Sequence, residues 1–109
     1  MALDIAQLAK DMFNAAFPIL KADAPDIEHF ASGEFQKIAQ QIQTIEVSLA
    51  SEKINVEQAR ILFDMQRSAS RVVLLTDAGL ALLTVEKALN AALDAIREAV
   101  TTATGVAFL

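Results

Sequence analysis

Cysteine, tryptophan and tyrosine are absent from this chain of 109 residues, and glycine and proline are scarce, at 3 and 2. Without cysteine there is neither a disulfide framework nor a thiolate-bound metal. The glycines Gly33, Gly79 and Gly105 are isolated and make no phosphate-cradling loop. With His29 as the single imidazole, Ser32, Ser48, Ser51, Ser68 and Ser70 lack a recognisable base for nucleophilic catalysis. Long hydrophobic runs are also missing. The longest stretch without a charged side chain, Ala99 to Leu109, falls short of the about 17 to 25 apolar residues of a membrane span. Asp4, Lys10 and Asp11 interrupt the apolar core that a secretion signal would need, so the cytoplasm is the default compartment. Positive charge is in deficit, with 9 Lys and Arg against 14 Asp and Glu and a net charge of -5. Such a field repels phosphate backbones, and no basic cluster with interleaved aromatics offsets it, so nucleic acid is not expected as a partner.

What is present is apolar and helix-forming. Hydrophobic residues make up 54% of the chain, enough to offset the entropy of folding and exclude disorder. Alanine alone fills 21 positions, which together with the lack of breakers predicts an all-α domain.

The first apolar stripe, Ile5, Leu8, Met12, Ala15 and Ile19, steps by three and four and predicts an amphipathic helix over about 2–21. Pro18 lies inside it and should kink the helix or end it early, because its ring opposes the carbonyl of Asn14. Asp23-Ala24-Pro25-Asp26 then reads as the start of a second helix, with Asp23 as N-cap and Pro25 in the first turn. Over 26–51 the seam Phe35, Ile38, Ile42, Ile45, Leu49 is regular, but Ile27 and Phe30 fall out of phase with it. Either a short helix over 26–31 precedes a main helix capped by Ser32, or one helix bends at Gly33. The clearest boundary is Asn55 with Gln58 three residues on, a capping box flanked by Ile54 and Ala59 as a hydrophobic staple. It sets a turn at about 51–55.

Beyond it two registers overlap at Val72 to Leu75. One runs Ala59, Leu62 or Phe63, Ala69, Val73, with Gln66 interrupting; the other runs Leu75, Ala78, Leu82, Val85, Leu89, Ala92, Ile96, Ala99, Ala103. A turn at 76–79 gives a compact four-helix bundle. A continuous helix over 56–102, on the order of 70 Å long, gives an elongated, coiled-coil-like hairpin that needs a second chain. The shortness of Asp77-Ala78-Gly79-Leu80 as a helix connection favours the long helix.

Candidate chemistry is thin. Asp26 and His29 share a helix face, but one imidazole with one carboxylate is less than a metal or acid–base site and reads as a solvated helix start. A di-iron carboxylate bundle needs two Glu-x-x-His pairs, and this chain has none. Arg60, Arg67 and Arg71, with Asp64 between the first two, read as an intrahelical ion-pair ladder, or as a patch for an acidic partner. Asp77, the only charge between Arg71 and Glu86, would need Arg71 or Arg67 of an antiparallel second chain if the helix were continuous, and would be an N-cap if the chain turned. Ala78, Gly79 and Ala81, followed by Ala88, Ala91, Ala92, Ala95 and Ala99, permit close helix contact. Val106-Ala107-Phe108-Leu109 reads as a tail folded back on the bundle or on a symmetry mate, or as a segment docking into a partner's groove or lying in a membrane interface.

The expectation is therefore an all-α antiparallel bundle of three to four helices in a single domain, without catalytic residues, metal or cofactor. Its expected activity is self-association, as a homodimer in the first instance, and binding of a protein partner. The expected interaction surface is Leu75, Asp77, Ala78, Gly79, Leu82, Val85, Leu89, Phe108 and Leu109. The alternative is a membrane-surface or lipid-binding protein whose surplus apolar surface meets lipid.

Overall fold

A computed structural model of the chain describes residues 3–24, 26–76 and 78–109. Four helices follow one another: α1 Ile5–Asp23, α2 Glu28–Ala50, α3 Val56–Thr76 and α4 Leu82–Thr104, with no strand among the described residues. Short connections make successive helices antiparallel neighbours. The helix α1 packs against α4 and α2, and α3 closes the bundle by lying on α2 and α4. The result is an all-α helical bundle.

Asp4 starts α1 by accepting the Gln7 amide at 3.2 Å. Its inward face is Leu8, Ala9, Met12, Ala16 and Leu20, rotated slightly from the expected stripe, so Ile5, Ala15 and Ile19 are only partly covered. The helix does not end early at Pro18 but runs on to Asp23. Pro18 and Asn14 are both exposed, so water can hydrate the carbonyl that loses its partner, while Ala16 and Leu20 hold the inward face in the core.

Asp23 does not cap α2. It is the last residue of α1, and its carboxylate accepts the Thr84 hydroxyl of α4; Pro25 lies outside the described residues. The N-cap of α2 is Ile27, without a side-chain cap bond, and its side chain is buried. That position explains the phase slip at Ile27, which precedes the helix, while Ala31 occupies the extrapolated seam and is fully buried and Phe30, inside α2 beside the seam, is only half-buried. A single helix passes through Gly33, and Ser32 caps nothing. Phe35, Ile38, Ile42 and Ile45 form its core face.

The capping box forms as expected. The Gln58 amide donates to Asn55 Oδ1 and the Asn55 amide to Gln58 Oε1, both at 2.9 Å. Ala59 is buried and Ile54 partly so, as the staple requires.

A continuous helix over 56–102 is not what forms: α3 stops at Thr76 and α4 begins at Leu82. Gly79 takes a left-handed φ of 68°, open to glycine at no steric cost. The amides of Ala78 and Leu80 return to the carbonyls of Val73 and Leu74, each at 3.3 Å, and Leu80 is tucked into the core. The connection is thus long enough to reverse the chain. The molecule measures 41 × 22 × 18 Å, well under the length of the elongated hairpin.

Its radius of gyration, 13.6 Å, compares with about 13 Å for a compact domain of this length. Its accessible surface, 6134 Å², compares with about 5,900 Å² for a folded monomer of this mass. Most of the apolar surplus is therefore inside one chain, in a core that joins all four helices to Leu80 and Phe108.

Candidate interaction surface

The helix α3 has two apolar faces. At about 100° per residue, Ala59, Phe63, Ser70 and Leu74 gather on the side turned to α2 and α4, and all four are buried. On the opposite side Ile61, Met65, Ser68 and Val72 follow in steps of four, three and four. Ile61, Met65 and Val72 are 59%, 64% and 53% exposed. Leu82 and Leu83, also exposed, begin α4 at the end of the bundle where α3 stops. Sequence reasoning missed the outer stripe by following only one face of α3, although its spacing was as regular as that of the buried one.

The two edges of this face differ in charge. Glu57, Asp64 and Arg71 recur every seven residues along one edge, while Gln58, Ala69 and Thr76 line the other. Ile61, Asp64, Met65 and Ser68 outline a shallow depression on the face.

The arginines do not build the expected ladder along α3. Arg67 donates to Asn90 Oδ1 at 2.7 Å and lies 3.8 Å from Glu86, and Arg71 pairs with Glu86 at 3.0 Å. Arg60 donates from Nε and Nη2 to the carbonyl oxygen of Ala107, at 3.4 and 3.3 Å. These contacts win because the guanidinium groups project toward α4 and the tail, where half-buried Glu86 is less screened than exposed Asp64. Asp64 has no ion-pair partner among the described residues. Asp77, and with it the pairing expected across two chains, lies outside the described residues. Both arginines named for that pairing are engaged within their own chain.

The expected surface residues fall into two groups. Val85, Leu89 and Phe108 are core residues and unavailable to a partner, whereas Leu82 and Gly79 are exposed and Leu75, Ala78 and Leu109 half-buried. In α4 the buried line runs Val85, Ala88, Leu89, Ala92, Leu93, Ile96 and Val100, leaving Ala95 and Ala99 in solvent. The tail folds back on its own bundle: the Phe108 ring meets Phe63 edge-on at 6.1 Å between centroids.

Polar groups in the core have local structural duties. Glu34 pairs with Lys37 at 2.9 Å, Glu46 accepts the Leu3 amide on both oxygens, and Ser70 accepts from Gln66 at 3.2 Å. Asp26 and His29 are both exposed, and no three His, Cys, Asp or Glu residues gather as metal ligands among the described residues. No described helix is long and apolar enough to cross a membrane. No family model, curated protein or solved structure matches this chain.

Proposed function

We propose that the protein is a non-enzymatic helical interaction module that self-associates and binds protein partners through its solvent-facing helix surface, in the cytoplasm. The observation that carries this reading is the outer stripe of α3. Three large apolar side chains more than half exposed in one regular line are a contiguous feature, unlike single exposed hydrophobics scattered over a surface. They sit on a helix whose other face is already satisfied by the core, so they are surplus to folding.

Sedimentation velocity over a concentration series tests the proposal. Self-association makes the weight-average sedimentation coefficient of the wild type rise with concentration, and the double substitution Ile61→Lys with Val72→Lys abolishes the rise while leaving helix content unchanged. A wild type that stays monomeric throughout and co-sediments with phosphatidylserine vesicles would instead support lipid binding. A rise that survives the double substitution would remove α3 as the surface.

A further inference from the structure

Resting on the self-association just proposed, we infer that the occupant of the outer α3 face is the α3 of a second copy, running antiparallel, with Ile61 opposite Val72 and Asp64 beside Arg71 of the other copy. Steps of four, three and four are the spacing of a helix–helix seam, in which each side chain enters a hole formed by residues i, i+3, i+4 and i+7 of the facing helix. Ile61, Asp64, Met65 and Ser68 have that spacing and outline a depression on this face.

Charge then selects the orientation. In a parallel pair, the edge carrying Glu57, Asp64 and Arg71 faces the other edge of the second helix, where Gln58, Ala69 and Thr76 offer no charge. In an antiparallel pair each edge faces its own copy, reversed. The acidic first half of the edge then meets the basic second half, and two symmetric Asp64–Arg71 pairs form, as an isologous two-fold contact requires. Arg71 is 44% exposed at its side chain, so it can reach Asp64 of the second copy from its position beside Glu86.

Charge and helix length together select the register. A slip of one heptad in one direction sets Arg71 against its own copy and carries Ile61 opposite Gly79, beyond the end of α3. A slip in the other direction brings Glu57 to Arg71 but sets Asp64 against its own copy, and it carries Val72 opposite Ile54, before the helix begins. Only the central register keeps both apolar ends of the stripe on a facing helix and pairs Asp64 with Arg71 while setting no like charges against each other. A single pair of five- to six-turn helices buries on the order of 1,000 Å², at the lower limit for a specific interface. The dimer is accordingly a reversible one.

The absence of cysteine makes the test clean. The double variant Ile61→Cys with Val72→Cys places two sulfurs about 16 Å apart along one helix, beyond the about 7 Å limit between bridged Cα atoms. Any disulfide is therefore between copies. Mild oxidation of concentrated protein is expected to give a covalent dimer of the double variant on non-reducing gels, while each single variant stays monomeric. Adding Asp64→Arg to the double variant should slow the cross-linking several-fold, because Arg would then face Arg71. All substituted positions are exposed, so the circular dichroism spectrum should not change.

Single variants that cross-link as fast as the double one would overturn the antiparallel register and leave self-association standing. Failure of the double variant to cross-link, with a wild type that still dimerises in sedimentation, would place the contact on another face. A wild type monomeric at every concentration would overturn both this inference and the self-association on which it rests.

Discussion

Removing the Phe108 ring should cost the isolated chain about 3 kcal/mol. Phe108 is 2% exposed and its ring stands edge-on to Phe63, itself 1% exposed. Core Phe→Ala substitutions cost about 3 to 5 kcal/mol, of which an aromatic pair supplies about 0.5 to 1.5. The lower end applies because Val106, Ala107 and Leu109 beside Phe108 are exposed or only half-buried and can partly collapse into the space. The tail is held by more than the ring: Arg60 grips the Ala107 carbonyl, and the Thr104 hydroxyl, donating to the Val100 carbonyl at 2.8 Å, accepts the Val106 amide at 3.2 Å.

Urea unfolding followed by circular dichroism would measure the effect. With a slope of about 1.5 kcal/mol/M, a loss of 3 kcal/mol lowers the midpoint by about 2 M at unchanged slope. The shift should be the same in dilute and concentrated protein, because the contact is within one chain. A double-mutant cycle with Phe63→Leu should show a coupling of about 1 kcal/mol. A cost under about 1 kcal/mol, or one that appears only at high concentration, would refute the folded-back tail and imply that Phe108 docks elsewhere.

Backbone conformation gives three further outcomes. Gly33→Ala should stabilise the chain by about 1 kcal/mol, since a Cβ at this position in α2 meets nothing within 4 Å; an unchanged thermal midpoint would contradict it. The same substitution at Gly105 should destabilise by about 1 kcal/mol, although the space there is equally open, because its φ is 73° at the C-cap of α4. Ala81→Asp should add about 1 kcal/mol and raise the melting temperature. Ala81 already has the extended backbone of an N-cap (φ -68°, ψ 145°), with no side-chain bond to the first turn and no acidic residue in that turn. A crystal structure or amide-exchange profile of this variant should show the carboxylate holding an amide of the first turn of α4.

The local features were legible because their physics is local. Asn55 and Gln58 need only each other and the adjacent amides to form a capping box, and it formed where the residues stand. The seam Phe35, Ile38, Ile42, Ile45 was likewise readable, since a three-four repeat on a long helix can satisfy only one face. The partners of Arg67 and Arg71 were not legible: a guanidinium has reach enough for either Asp64 on its own helix or Glu86 on the next, and only the packing of α3 on α4 makes Glu86 the nearer and less hydrated choice. Pro18 belongs to the same group. Its local effect on the Asn14 carbonyl is unfavourable, and what carries the helix past it is the burial of Ala16 and Leu20 against neighbours the sequence does not name.

The abundance of alanine, the near-absence of breakers and the three-four periodicity determined by themselves that this protein is helical, and which stripes of each helix are apolar. The tertiary structure decided which stripe faces inward. On α3 two stripes compete, and the bundle buries Ala59, Phe63, Ser70 and Leu74 while leaving Ile61, Met65 and Val72 in water. It also decided that the chain reverses after Thr76, where a left-handed Gly79 and a buried Leu80 replace a continuous helix. The reason is the same in both cases. Periodicity reports the direction in which a side chain points, whereas burial depends on what stands there, and that is fixed only when all four helices share one core.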